Sequence, residues 1–186
     1  MAGDVGMLDA KGWGNDFIVF QRVMHSALRF VSGLDGALVR PAYQTNPPPL
    51  PPLSIDWLAF SLGNFEREAG LPYIIANEKG ECDFFRFEKF TCHCVFYGEN
   101  CQFLAENLRD GFELDYNRRV LRENGLGFIE SGIITNTAEM VQNSWVRRAD
   151  CDLYFTREVG RCYNVGYFAS IAGNVNFNND FLVKRN

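Results

Sequence analysis

The stretch that most limits what this chain can fold into runs from Trp145 to Val159. Trp145, Ala149, Cys151, Leu153 and Phe155 occupy odd positions, and Arg148, Asp150, Asp152, Thr156 and Glu158 occupy even ones; from Trp145 to Phe155, Arg147 alone interrupts the apolar series. Side chains of a strand point alternately to its two faces, so this spacing predicts a long strand with one buried and one wet face. A wet face is at home in antiparallel sheets and rare in parallel ones. The apolar face needs cover, and two helical segments earlier in the chain can supply it.

The first helix is predicted to begin at Asn15 or Asp16, either of which can cap it, and to end at Gly33. Phe17, Phe20, Met24, Ala27, Leu28 and Val31 form its apolar stripe, and His25 lies off that stripe, facing solvent. The second starts after Gly98-Glu99-Asn100 with Phe103, Leu104, Leu108 and Phe112 as its buried side, and a shorter helix over 116–124 ends at Gly125. Strands are expected over 37–43, 55–62, 71–76, 83–97 and 126–135, with 64–70 a hairpin tip and 136–143 turn-like or a short edge. Within 83–97, Phe85 and Phe87 share one face while Phe90, Cys92, Cys94 and Phe96 share the other, so a bulge or bend is expected near Glu88-Lys89. Asn46-Pro47-Pro48-Pro49-Leu50-Pro51-Pro52 must be extended; it reads as a stiff connector, or as a ligand for a proline-recognition domain.

This order of elements predicts one α+β domain, with a mixed, mainly antiparallel sheet and helices packed on one face. A chain of 186 residues with 47% hydrophobic and 22% charged residues can fill one core. Residues 1–15, Gly-rich, read as a flexible arm; 16–171 as the domain; and 172–186, near an Asn-rich stretch, as an extension. Seventeen Phe point to aromatic packing in the core or between subunits.

The net charge of −5 argues against general nucleic-acid binding, which needs a basic surface. No secretory signal and no membrane-spanning run is expected, so the six cysteines read as free, core-packed thiols. Cys92-His93-Cys94 has the look of a metal knuckle, but on a strand the thiols and the imidazole point to opposite faces and cannot converge. The same geometry opposes a Cys–His catalytic pair. Glu66/Glu68 and Asp150/Asp152 have same-face spacing, yet no cleft-forming chemistry accompanies them, and phosphate-loop and nucleophile-elbow motifs are absent. No catalytic residue, metal ligand or cofactor site is expected. A small Cys- or carboxylate-dependent enzyme is the alternative of another class.

Three stretches together resemble the tail terminator (neck terminator) proteins of tailed phages. They are Cys94-Val95-Phe96-Tyr97-Gly98 running into the 100–112 helix, the Gly-containing strand from Gly127 to Thr135, and the run from Ser144 to Phe155, with the proline-rich lead-in before Ile55 in keeping. The resemblance implies a structural virion protein of the tail or neck, assembled in the host cytoplasm. It further implies a hexameric homo-oligomeric ring that caps the tail tube. Its contacts would be the tail tube protein, a neck or connector protein and the tail sheath, with DNA only passing through the lumen and no membrane. A head-completion adaptor or a tube subunit is the alternative within this class. Arg147, Arg148, Asp150, Asp152 and Glu158 are the candidate subunit-interface residues. The Gly-rich start and Asn-rich tail have no counterpart in this resemblance.

Overall fold

The computed structural model describes residues 10–11, 16–70, 73–76, 81–141 and 143–164. In chain order these form β1 (Ala10–Lys11), α1 (Asp16–Ser32), β2 (Val39–Pro41), β3 (Trp57–Arg67), β4 (Tyr73–Ala76), β5 (Glu81–Tyr97), α2 (Cys101–Glu113), α3 (Asp115–Arg122), β6 (Leu126–Val141) and β7 (Ser144–Asn164). All strands join one seven-stranded sheet in the order β1-β7-β5-β3-β2, with β4 on the β5 edge and β6 on the β7 edge. Every pairing is antiparallel except β2 with β3. The fold is α+β, as the order of segments predicts.

One face of the sheet carries the helices. The odd-numbered residues of β7 (Ala149, Cys151, Leu153, Phe155) and the even-numbered ones of β5 (Phe90, Cys92, Cys94, Phe96) meet Phe20, Met24 and Leu28 of α1 and Leu108 and Phe112 of α2. Phe155 is the hub. Phe90 and Phe128 lie against its ring at 5.4 and 5.5 Å, and Phe112 meets it edge-on at 5.4 Å. Offset and edge-to-face pairs of this kind add to the area term.

Several local expectations give way to longer-range pairing. Trp145 lies beyond the helices and is 71% exposed, so the buried face of β7 begins at Ala149. Phe17 and Phe103 are likewise exposed rather than part of their helices' buried stripes. The 64–70 stretch is not a hairpin tip, because β3 continues to Arg67. β4 pairs with β5 rather than returning along β3. β6 continues through 136–141 to Val141 along β7, where the sequence predicts turn-like residues or a short edge, and β7 keeps its pairing with β5 as far as Asn164.

The expected bulge near Glu88-Lys89 sits on the neighbouring strand. β5 keeps unbroken register with β7 from Glu81 to Tyr97. The extra residue is in β3 between Gly63 and Glu66, where Asn64 takes φ 52 and donates from its amide to the Thr91 hydroxyl at 3.5 Å. Asn is among the residues that tolerate this left-handed backbone. Because β5 does not slip, Glu88 stays on the helix-side face and is 5% exposed. Arg157 Nε and Nη2 donate to its Oε2 at 3.2 and 2.9 Å, and Arg86 Nη2 lies 2.8 Å from Oε1. The Arg157 guanidinium lies 4.6 and 4.8 Å from the ring centres of Phe20 and Phe65. The core therefore passes into a roofed ion cluster where the apolar alternation stops.

Candidate interaction surfaces

The face of the sheet opposite the helices holds a chain of polar contacts that no single segment reveals. Register sets Tyr97 beside Arg148, Val95 beside Asp150 and His93 beside Asp152. Trp57 stacks on Tyr97 at 4.4 Å, and the Tyr97 hydroxyl donates to Glu139 Oε2 at 3.1 Å. Arg148 joins the same oxygen through Nη1 at 2.9 Å and grips Asp150 with Nε and Nη2 at 2.6 and 2.8 Å. His93 Nδ1 lies 2.6 Å from Asp152 Oδ1. Burial, reinforced by the Glu139 charge, pushes the Tyr97 phenol up to about 12. The bond to Asp150 raises Arg148, outweighing the cost of its partial burial.

Of the five candidate interface residues, three thus have intramolecular partners: Arg148, Asp150 and Asp152. Arg147 and Glu158 are exposed at opposite ends of β7 and carry no ion pair among the described residues.

The two ends of the sheet differ in chemistry. At the β6–β7 end, Leu53, Trp145, Arg147 and the Glu99-Asn100 turn surround an open hollow of about 730 Å³. A second hollow of about 530 Å³ lies across Arg147, between Phe103 and Thr137. The start of α2 is closed by a residue distant in sequence. Asp56, just before β3, accepts from the Asn100 backbone N–H at 3.1 Å and from its side-chain amide at 2.9 Å. Gly98, at φ 117, lets that carboxylate in; a Cβ there would stand 2.1 Å from Asp56 Oδ1. The proline run belongs to this end as well. Pro51 is buried, and Leu50, Pro51, Leu53 and Ile55 line a small apolar recess with Trp57 and Val146. At the far end, Tyr73, Phe85, Phe87, Glu68 and Glu158 line a slot of about 410 Å³.

Among the described residues, groups able to do chemistry do not converge. Cys92, Cys94, Cys101 and Cys151 are free and buried. Cys92 and Cys94 lie 3.8 Å apart, and contact with Cys92 together with burial raises the Cys94 thiol. Burial lifts Cys151 to about 12 and also raises Cys101. Thiols held in this way are poor nucleophiles. His93 projects from the opposite face, as strand alternation predicts, and His25 is half-buried against Phe60 with Nε2 3.1 Å from the Gly36 carbonyl, rather than facing solvent. No group of three potential metal ligands occurs among the described residues.

Sequence reasoning missed Trp57, Tyr97 and Glu139 because their partnership exists only through sheet register. It reached Glu68 as half of an acidic pair with Glu66, but not Phe87, the ring that Glu68 flanks.

Compared with known protein families, residues 20–180 match the family described as phage neck terminator protein. No curated protein matches the chain.

Proposed function

The chain belongs to the phage neck terminator family and so to the structural proteins of the phage tail and neck, and from that premise we propose that it closes into a hexameric ring capping the tail tube. The observation that carries this reading is the distribution of exposed apolar groups. Trp145, Met140, Leu53 and Ile55 cluster toward one end of the long strands, and Tyr73, Ile74, Ile75 and Phe87 toward the other. Large apolar side chains gathered at two separated sites mark contacts with other proteins rather than a substrate pocket. The open face between them is ionic and already largely self-satisfied, which suits a wall facing solvent or passing DNA.

In this reading the tail tube protein meets one rim of the ring and a neck or connector protein the other, with the sheath alongside. Assembly takes place in the host cytoplasm before the subunit enters the virion. The terminal stretches 1–15 and 172–186, outside the described residues except for Ala10–Lys11, which pair with β7 rather than forming part of a free arm, are proposed as docking arms on neighbouring proteins.

Native mass spectrometry of the purified chain, followed by electron microscopy with isolated tail tubes, tests the proposal. The expected result is a closed hexamer seated on tube ends. Long cylinders formed by the chain alone would instead identify a tube subunit, and a monomer that never binds tube ends would refute the capping role.

A further inference from the structure

Resting on the ring reading above, we infer that the contact between neighbouring subunits is made by Trp145 and Arg147 of one copy entering the Phe87 slot of the next, where Glu68 and Glu158 bracket the guanidinium. The slot has a specific construction. Glu158 stands directly across from Phe87 on β7. On the other side, the Glu68 backbone N–H donates to the Phe87 carbonyl at 3.1 Å. Cross-strand neighbours project to the same face, so the half-exposed phenyl ring has Glu158 on one flank, while Glu68, just past the end of β3, lines the same slot on the other. An aromatic face between two carboxylates is a receptor for a planar cation, which gains both ring attraction and charged hydrogen bonds. Tyr73, across from Phe85, extends the aromatic wall.

Neither Glu68 nor Glu158 takes part in an ion pair among the described residues, whereas Glu88, Glu113, Glu123 and Glu139 all do. The complementary piece lies on the same strand. Arg147 is exposed and without an ion partner among the described residues, and Trp145, two residues away, projects to the same side and is 71% exposed. Trp and Arg are both among the residue types enriched at the energetic centres of protein interfaces.

Distance then requires a second copy. Arg147 and Glu158 are eleven residues apart on one strand, or roughly 36 Å, so no subunit can fill its own slot. The contact joins different patches on its two sides, which makes it head-to-tail and able to generate a ring.

The test is charge reversal read by native mass spectrometry and sedimentation, with circular dichroism to establish that each variant is folded. Arg147→Glu and Glu158→Arg should each weaken association at least about tenfold, and the Arg147→Glu/Glu158→Arg double variant should recover most of it. Where a reversal unfolds the chain, Arg147→Gln and Glu158→Gln serve instead and should weaken association in the same direction. Folded single variants that still assemble would overturn this contact while leaving the ring intact. A double variant that stays dissociated would overturn the direct pairing, and a wild-type chain that is monomeric would sink the ring and the contact together.

Discussion

Replacing Glu88 by Gln keeps the side chain's shape and removes its charge. Glu88 accepts from two guanidinium groups through three contacts of 2.8, 2.9 and 3.2 Å, and its side chain is 7% exposed. The amide offers one acceptor oxygen and turns an NH₂ toward a cation. Arg86 Nε already has no hydrogen-bond partner, so the cluster has no spare acceptor to offer. Breaking a buried pair costs about 3–5 kcal/mol, and because Arg86 and Arg157 retain some solvent contact the lower end applies, about 3 kcal/mol. The pH dependence supplies a second signature. Burial alone would raise the Glu88 pKa, but the Arg157 hydrogen bond and the charges of Arg157 and Arg86 more than offset it, so the group lies below its ordinary value. Its stabilisation is therefore complete above the unfolded-state pKa of about 4.3 and is lost as pH falls through the depressed folded value. Urea unfolding of wild type and Glu88→Gln should show a constant stability gap from about pH 7 to about pH 5 that closes in acid. A gap below about 1 kcal/mol, or one that persists unchanged until acid unfolding, would refute the assignment of Glu88 as the buried anion of this cluster.

Gly98→Ala should destabilise the fold by about 2 kcal/mol or more, because an L-residue is strained at φ 117 and its Cβ displaces the Asp56 carboxylate that caps α2; thermal unfolding measures it. Phe112→Ala, at the ring cluster on Phe155, should cost about 4 kcal/mol in chemical denaturation. A thiol reagent at about pH 8 should label Cys82 in the folded protein and leave Cys92, Cys94, Cys101 and Cys151 unmodified until urea unfolds it; rapid labelling of Cys94 or Cys151 in the native state would contradict their burial. In the dissociated subunit, Trp145→Ala, at a position 71% exposed, should leave unfolding stability within about 0.5 kcal/mol of wild type, while quenching studies at the same dilution report loss of an exposed indole.

How much of this protein could be read from residue order depends on the range of the interaction concerned. Alternation along 149–155 and the three- and four-residue spacing from Phe20 to Leu28 predict the buried faces of β7 and α1, since period and burial are linked within one element. The opposed directions of His93 and its neighbouring thiols follow from the same rule, and so does the poor prospect for a metal knuckle. The family resemblance was legible in the segments around 94–112 and 144–155. Where the apolar pattern stops, the reading fails in a consistent way. A slip was expected near Glu88-Lys89 because the apolar residues change face there, from Phe85 and Phe87 to Phe90 and Cys92, but the strand continues in register and takes Glu88 into the core. Arg157, 69 residues along the chain, compensates it.

Segment identity, strand polarity and the helix-covered α+β design were therefore set by local composition and periodicity. Which strands pair, where the bulge falls and which charges remain free were decided only in three dimensions. Asp56 caps a helix that begins 45 residues later, and Glu68, just past β3, and Glu158, on β7, come to flank one phenyl ring from its two sides. The physical reason is that hydrogen-bond satisfaction and charge compensation act through space, between groups whose separation along the chain carries no signal of their contact.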